Sequence, residues 1–133
     1  MAHTTDTALD EALDLEGLTA FCPKFHHAVE LVGRRWTGAI LRAMFAGNVR
    51  FSDIASTVPG LSDRLLSERL KELTQEGLVE RVAHQDSARV EYHLTTMGRE
   101  LAPMIECLSA WANRWLPGTT EGAPSDAAVV ASR

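Results

Sequence analysis

The sequence predicts a mainly α-helical domain carrying one small β-hairpin, an α+β arrangement. Three observations lead there. Apolar residues recur every three to four positions through four punctuated blocks between residues 23 and 76. The period then drops to two over residues 78–94, and after Thr95 it returns to alternating steps of four and three.

Each element has its own start and stop signals. Cys22-Pro23 opens a first helix, with Phe25, Ala28, Val29 and Val32 on one face, and Gly33 ends it. A second helix runs from about Trp36, with Ile40, Ala43 and Met44 on one face, and Gly47-Asn48 stops it. Ser52-Asp53 offers an N-cap and a first-turn acid to a third, whose buried face is Ile54, Ala55 and Val58. Pro59-Gly60 forces a turn before Ser62 caps a fourth helix, in which Leu66, Leu70 and Leu73 face inward and Gly77 closes the run.

Residues 78–82 and 90–94 then alternate as two short strands joined by a polar tip. Thr95 caps a last helix, where Met97, Leu101, Met104, Leu108, Trp111 and Trp115 make the narrow seam of a coiled coil. Pro103 falls inside that helix and should kink it, at a cost of about 3 kcal/mol unless packing offsets it. The seam exceeds what a domain of this size needs for its own core. An exposed apolar stripe of that length predicts a homodimer, with the first helices drawn into the same interface.

A chain of 133 residues, 45% hydrophobic and 23% charged, suits one soluble domain. No apolar run is long enough to span a membrane, and the opening residues lack a secretory pattern, so a cytoplasmic location is expected. Residues 1–20 read as an acidic extension, partly helical through Leu9, Ala12, Leu13 and Leu18. Residues 21–116 are the domain proper, and the Pro-, Gly- and Ser-rich stretch 117–133 reads as a disordered tail. The net charge of −5 hides a regional split: five acids and no base in 1–20, but eleven bases against nine acids in 21–99. The middle of the chain is mildly basic.

Short helices, a Pro-Gly turn and a hairpin in this order make a helix-turn-helix with a wing. A fourth helix that buries its leucines leaves Asp63, Arg64, Ser67, Glu68 and Lys71 facing out, and its first turn can meet base edges in a major groove. Ser62 is expected to cap and can also meet a phosphate. The wing carries Arg81, His84 and Arg89. Arg89 is the expected backbone contact there, and Arg50 a further phosphate contact. Arg69 lies nearer the buried face and reads as half of a structural ion pair. The helix itself is acidic by one charge, so blanket electrostatics cannot supply its affinity.

Cys22-Pro23, Gly33-Arg34-Arg35-Trp36, Arg50-Phe51-Ser52-Asp53-Ile54 and Pro59-Gly60-Leu61-Ser62 carry a resemblance. So do Leu66-Ser67-Glu68-Arg69-Leu70, Gly77-Leu78-Val79-Glu80-Arg81, Val90-Glu91-Tyr92-His93-Leu94-Thr95 and Gly98. Over residues 21–116 the chain resembles the HxlR family of bacterial winged-helix transcription regulators, with Arg35 where lysine is common. The resemblance implies a homodimer that binds double-stranded DNA, usually as a repressor, with dimerisation helices at both ends of the domain. It also implies a thiol sensor at Cys22. The residues themselves agree, because a sulfur at the start of a helix, beside Lys24, sits where thiolate is favoured. Two-fold symmetry then predicts a near-palindromic operator.

The same residues bear on other functional classes. Cys22, His26 and His27, with His84 and His93, suggest a metal sensor, but no CxxC or HxxxH reinforces them and no metal is expected. No P-loop, GxGxxG after a strand, GxSxG or HExxH occurs, so neither catalysis nor a cofactor is expected. A small-molecule or electrophile effector is expected, with no membrane partner. A winged-helix protein-interaction adaptor without DNA binding is the alternative, and a thiol-dependent redox enzyme stands behind it. The three tryptophans, Trp36, Trp111 and Trp115, read as core or interface.

Overall fold

The computed structural model describes residues 20–118. The acidic opening with its expected short helix, and the tail from residue 119, lie outside the described residues. The chain divides into two compact units between Arg34 and Arg35.

The first unit contributes α1 (Pro23–Val32). Proline at its start lacks only a donor that a helix N-terminus leaves unpaired anyway. The Cys22 sulfur caps the turn, accepting from the Phe25 N–H at 3.5 Å, and the Gly33 N–H closes the other end on Val29 O at 2.7 Å. The apolar face of this helix stands open in the single chain, with Phe25 65% and Val29 47% exposed.

The second unit comprises α2 (Thr37–Phe45), α3 (Phe51–Thr57), α4 (Asp63–Gln75), β1 (Val79–Ala83), β2 (Val90–Leu94), α5 (Thr96–Arg99) and α6 (Ala102–Trp115). Ile40 and Leu41 of α2, Ile54 of α3 and Leu66, Leu70 and Leu73 of α4 are all essentially sealed from solvent. Burial of each such side chain stabilises by about 1.5–3 kcal/mol. Leu78 and Val79 extend this core under the hairpin. The expected leucine face of α4 is therefore the one that packs.

Two expectations need correction. Helix α3 begins at Phe51 with Arg50 at its N-cap, two residues before the expected Ser52 cap, and no side chain caps it. The reason lies in β2: Arg50 is extended and bridges Glu91, while Tyr92 N–H donates to Val49 O at 2.7 Å. The chain passes from a strand-like contact directly into the helix.

The last helix is not continuous. Thr95 does cap, its Oγ1 accepting from Gly98 N–H at 3.1 Å, but the helix it caps, α5, has four residues. A break at Glu100 and Leu101 follows, and Pro103 lies in the first turn of α6. There its missing N–H costs no intrahelical bond, so the expected kink and its penalty do not arise.

The wing is an antiparallel pair in which Val79 faces Leu94, Arg81 faces Tyr92 and Val82 faces Glu91. Thr95 Oγ1 also donates to Gly77 O at 2.6 Å, which ties the end of the hairpin to the turn that begins it.

Candidate nucleic-acid interface

Helix α4 presents the candidate surface. Ser62 caps it, with Oγ accepting from Leu65 N–H at 3.1 Å. Asp63, Ser67 and Lys71 recur at four-residue steps, so they lie along one face with Arg64 beside them, and all four are exposed. Arg64 is fully extended into solvent and pairs loosely with Glu68, Nε to Oε1 at 3.4 Å. An exposed pair of this kind contributes at most a fraction of a kcal/mol, so little opposes its exchange for another partner.

Arg69 behaves as its position predicts. Its Nη1 meets Glu72 Oε1 at 3.2 Å and its Nε donates to Arg35 O at 3.0 Å, with only 13% of the side chain exposed. It anchors α4 to the residues before α2.

The wing supplies a second group. Arg89 is exposed at the hairpin tip, where its own N–H donates to Ser87 Oγ at 3.2 Å. Arg50 is exposed too, and the structure places it with the wing through its bridge to Glu91. The proposed contacts thus fall into two sets, one on α4 and one across the hairpin.

One arrangement on the wing escaped the sequence reading. Glu91 Oε1 lies 2.9 Å from His93 Nε2 and 3.3 Å from His84 Nε2. Hydrogen bonds from His93 first, and then His84, hold the Glu91 carboxyl below its ordinary 4.5. The spacing of Glu91 and His93, two apart on a strand, put them on one face. Nothing in the spacing located His84 beside them.

A cavity of about 450 Å³ opens beside β2, lined by Met44, Phe45, Val49, Tyr92, Leu94 and Arg99 among others. Its main polar groups are engaged locally: Arg99 donates to Leu94 O and Thr96 Oγ1, and Asn48 Nδ2 to Ala43 O. They offer no free grip on a ligand.

The predicted dimer seam is split between elements. Met97 belongs to α5, Leu101 to the break, and Met104, Leu108, Trp111 and Trp115 to α6. Met97, Leu108, Trp111 and Trp115 are each more than half exposed, while Leu101 and Met104 are half-buried. Cys107, on the same helix α6, is exposed. Cys22 is exposed as well, at the cap of α1 where the sequence places it. His26 is engaged by Glu30 at 3.1 Å.

With this geometry in place, residues 31–120 match the model of the HxlR-like helix-turn-helix family. The chain belongs to the HxlR-like helix-turn-helix family. The HTH-type transcriptional regulator YvaP of Bacillus subtilis is 45% identical over 96 residues, 71% of this chain and 89% of that protein. The structure of diamide-treated YodB from B. subtilis superposes with a TM-score of 0.61 at 37% identity, covering 74% of this chain and 98% of that one. Quinone-bound YodB gives 0.61 at 38% identity, over 71% of this chain and all of that one. As an HxlR-like protein the chain is a DNA-binding transcriptional regulator with a winged helix-turn-helix, and not an enzyme.

Proposed function

We infer that this regulator works as a homodimeric, cytoplasmic repressor on a near-palindromic operator. Each protomer lays α4 in one major groove, with Ser62, Asp63, Arg64, Ser67 and Lys71 toward the DNA, while Arg50 and Arg89 hold backbone phosphates beside it. The observation that carries this reading is the division of α4: three sealed leucines on one side, and an open polar face headed by Arg64 on the other.

Dimerisation rests on the open apolar surface of α6, where Leu108, Trp111 and Trp115 would otherwise stay wet. Regulation rests on Cys22, whose sulfur faces solvent at a helix N-terminus. Diamide and quinone, the reagents named with the YodB structures, are electrophiles that thiolates attack, and the same chemical class of effector suits an exposed cysteine here.

The test is a mobility-shift titration with the DNA upstream of the chain's own gene, followed by footprinting. Protection of two half-sites about one helical turn apart is expected. Absence of any sequence preference over competitor DNA would sink the operator model.

A further inference from the structure

The wing face that carries Arg50 and Arg89 also carries both imidazoles. Cross-strand partners point to the same side of a sheet. Arg50 bridges Glu91, Val82 pairs with Glu91, and Glu80 pairs with His93. The His84 N–H donates to Arg89 O at 3.1 Å, which carries the ladder one step further toward the tip. Along this side of the hairpin stand Arg89 and His84, then Glu91 with Arg50, then His93 with Glu80.

With neutral imidazoles, two arginines on this face are cancelled by two glutamates. The two histidines are what is left to set its sign. Glu91 remains ionised throughout the range in which a histidine ordinarily titrates, because the two imidazoles stabilise its carboxylate. Protonation of both therefore moves the face from neutral to a charge of +2.

The elements packed on β2 do not reverse this. Helix α2 brings Arg42, α3 brings Asp53 besides Arg50, and β1 brings Arg81 on its opposite face besides Glu80. Helix α5 brings Arg99, whose guanidinium is bonded to Leu94 O and Thr96 Oγ1. Helix α4, packed on β1, is balanced, with Asp63, Glu68 and Glu72 against Arg64, Arg69 and Lys71, and the hairpin tip adds Asp86, so the surroundings keep only a slight excess of bases and do not repel an anionic partner.

We propose that His84 and His93, gathered on Glu91, form a proton-gated contact for the phosphate backbone of double-stranded DNA. This rests on the DNA-binding reading above and adds the wing's two histidines to it. Neutral, they leave the face without net attraction for phosphate. Protonated, they give it two further positive charges, and each neutralised phosphate releases condensed counterions. DNA binding then takes up protons, and affinity rises as pH falls.

The experiment is fluorescence anisotropy with the duplex upstream of the chain's own gene, at about pH 8 and about pH 6 over a series of salt concentrations. Wild type should tighten by about tenfold at low salt on acidification, and its log K against log salt slope should steepen by about one to two. The H84Q/H93Q double variant should lose that gain, although His3, His26 and His27 are all retained. Glu91→Gln should already bind several-fold tighter at the higher pH, because it leaves one positive charge uncancelled. Thermal unfolding at both pH values establishes that each variant is folded.

Wild type bound equally well at both pH values overturns the proposal while leaving the DNA reading intact. A double variant that keeps the full pH gain, or a folded Glu91→Gln with unchanged affinity, also overturns it. No binding at either pH removes both readings together.

Discussion

The indole of Trp36 lies across Gly60, where a β-carbon would stand 3.3 Å from Trp36 Cη2. Both residues have positive φ, 77° at Trp36 and 86° at Gly60, and Trp36 is the one non-glycine residue of this kind among those described. The Arg35 guanidinium sits 5.3 Å from the same ring, and Arg35 O receives Arg69 Nε from α4. Helix α4 and the turn before it are thus fastened to residues 35 and 36. A strained backbone persists only where its surroundings hold it, and here the same residues hold α4.

Gly60→Ala should therefore destabilise the protein twice over, through left-handed backbone and through the indole. The expected loss is about 1–3 kcal/mol. Chemical denaturation of wild type and variant measures it, and an unchanged midpoint would mean the turn is not under the constraint described.

Much of this fold was legible because its signals are local. Ser62, Thr95, Gly33 and Gly77 punctuate the helices where they stand in the chain, and Leu66, Leu70 and Leu73 announce the buried side of α4. What was not legible depends on contacts between distant residues. Nothing near Ser52 reveals that Arg50 is held by Glu91, which moves the start of α3 by two residues. A run of six apolar residues stepping by fours and threes hides a break at Leu101, since proline suits a helix start as well as a kink. His84 meets Glu91 only because the hairpin folds back. Arg64 and Arg89 were legible as exposed bases, because nothing in the apolar pattern draws either inward.

Arg64→Ala should cost about 1–3 kcal/mol on the operator and relax preference at one base pair, if the guanidinium leaves Glu68 for a guanine edge. Arg89→Ala should weaken all sequences alike and reduce the salt slope by about one. Competition titrations with single-base operator variants separate the two behaviours. Wild-type binding by both variants would remove α4 and the wing tip from the interface.

Leu108, Trp111 and Trp115 lie on α6 at steps of three and four, all more than half exposed. Leu108→Glu should turn a dimer into a monomer, since a charge buried in an apolar interface is strongly disfavoured. Light scattering at micromolar concentration reads the mass directly. A wild-type chain already monomeric there would end the case for two half-sites as well.

Acid should act through Glu91. Its carboxyl is held below the ordinary 4.5 by His93 and then His84, so the folded state binds its proton less readily than the unfolded chain does. That contribution is present in full above the ordinary value and is lost as pH falls through the lowered one. Glu91→Gln should accordingly show a shallower fall of Tm on acidification through this range. Identical slopes for wild type and variant would indicate that the two imidazoles leave the carboxyl unperturbed.

Cys22 offers the sharpest test of regulation, because its replacement can be conservative. The sulfur caps α1 by accepting from Phe25 N–H, and a serine hydroxyl at the same place caps at least as well. Cys22→Ser should therefore keep the helix while removing the thiol. Diamide or a quinone should release wild type from its operator and leave Cys22→Ser bound. Cys107→Ser should respond as wild type does, even though Cys107 is also exposed, because it lies inside α6 and caps no helix. Release follows if modification at Cys22 disturbs α1, whose open face of Phe25 and Val29 is drawn into the proposed dimer, since a shift of a few ångströms between two recognition helices spoils their match to fixed half-sites. Mass spectrometry on the treated, DNA-bound fraction decides the matter: wild type modified at Cys22 yet still on its operator would show that the thiol is not the switch.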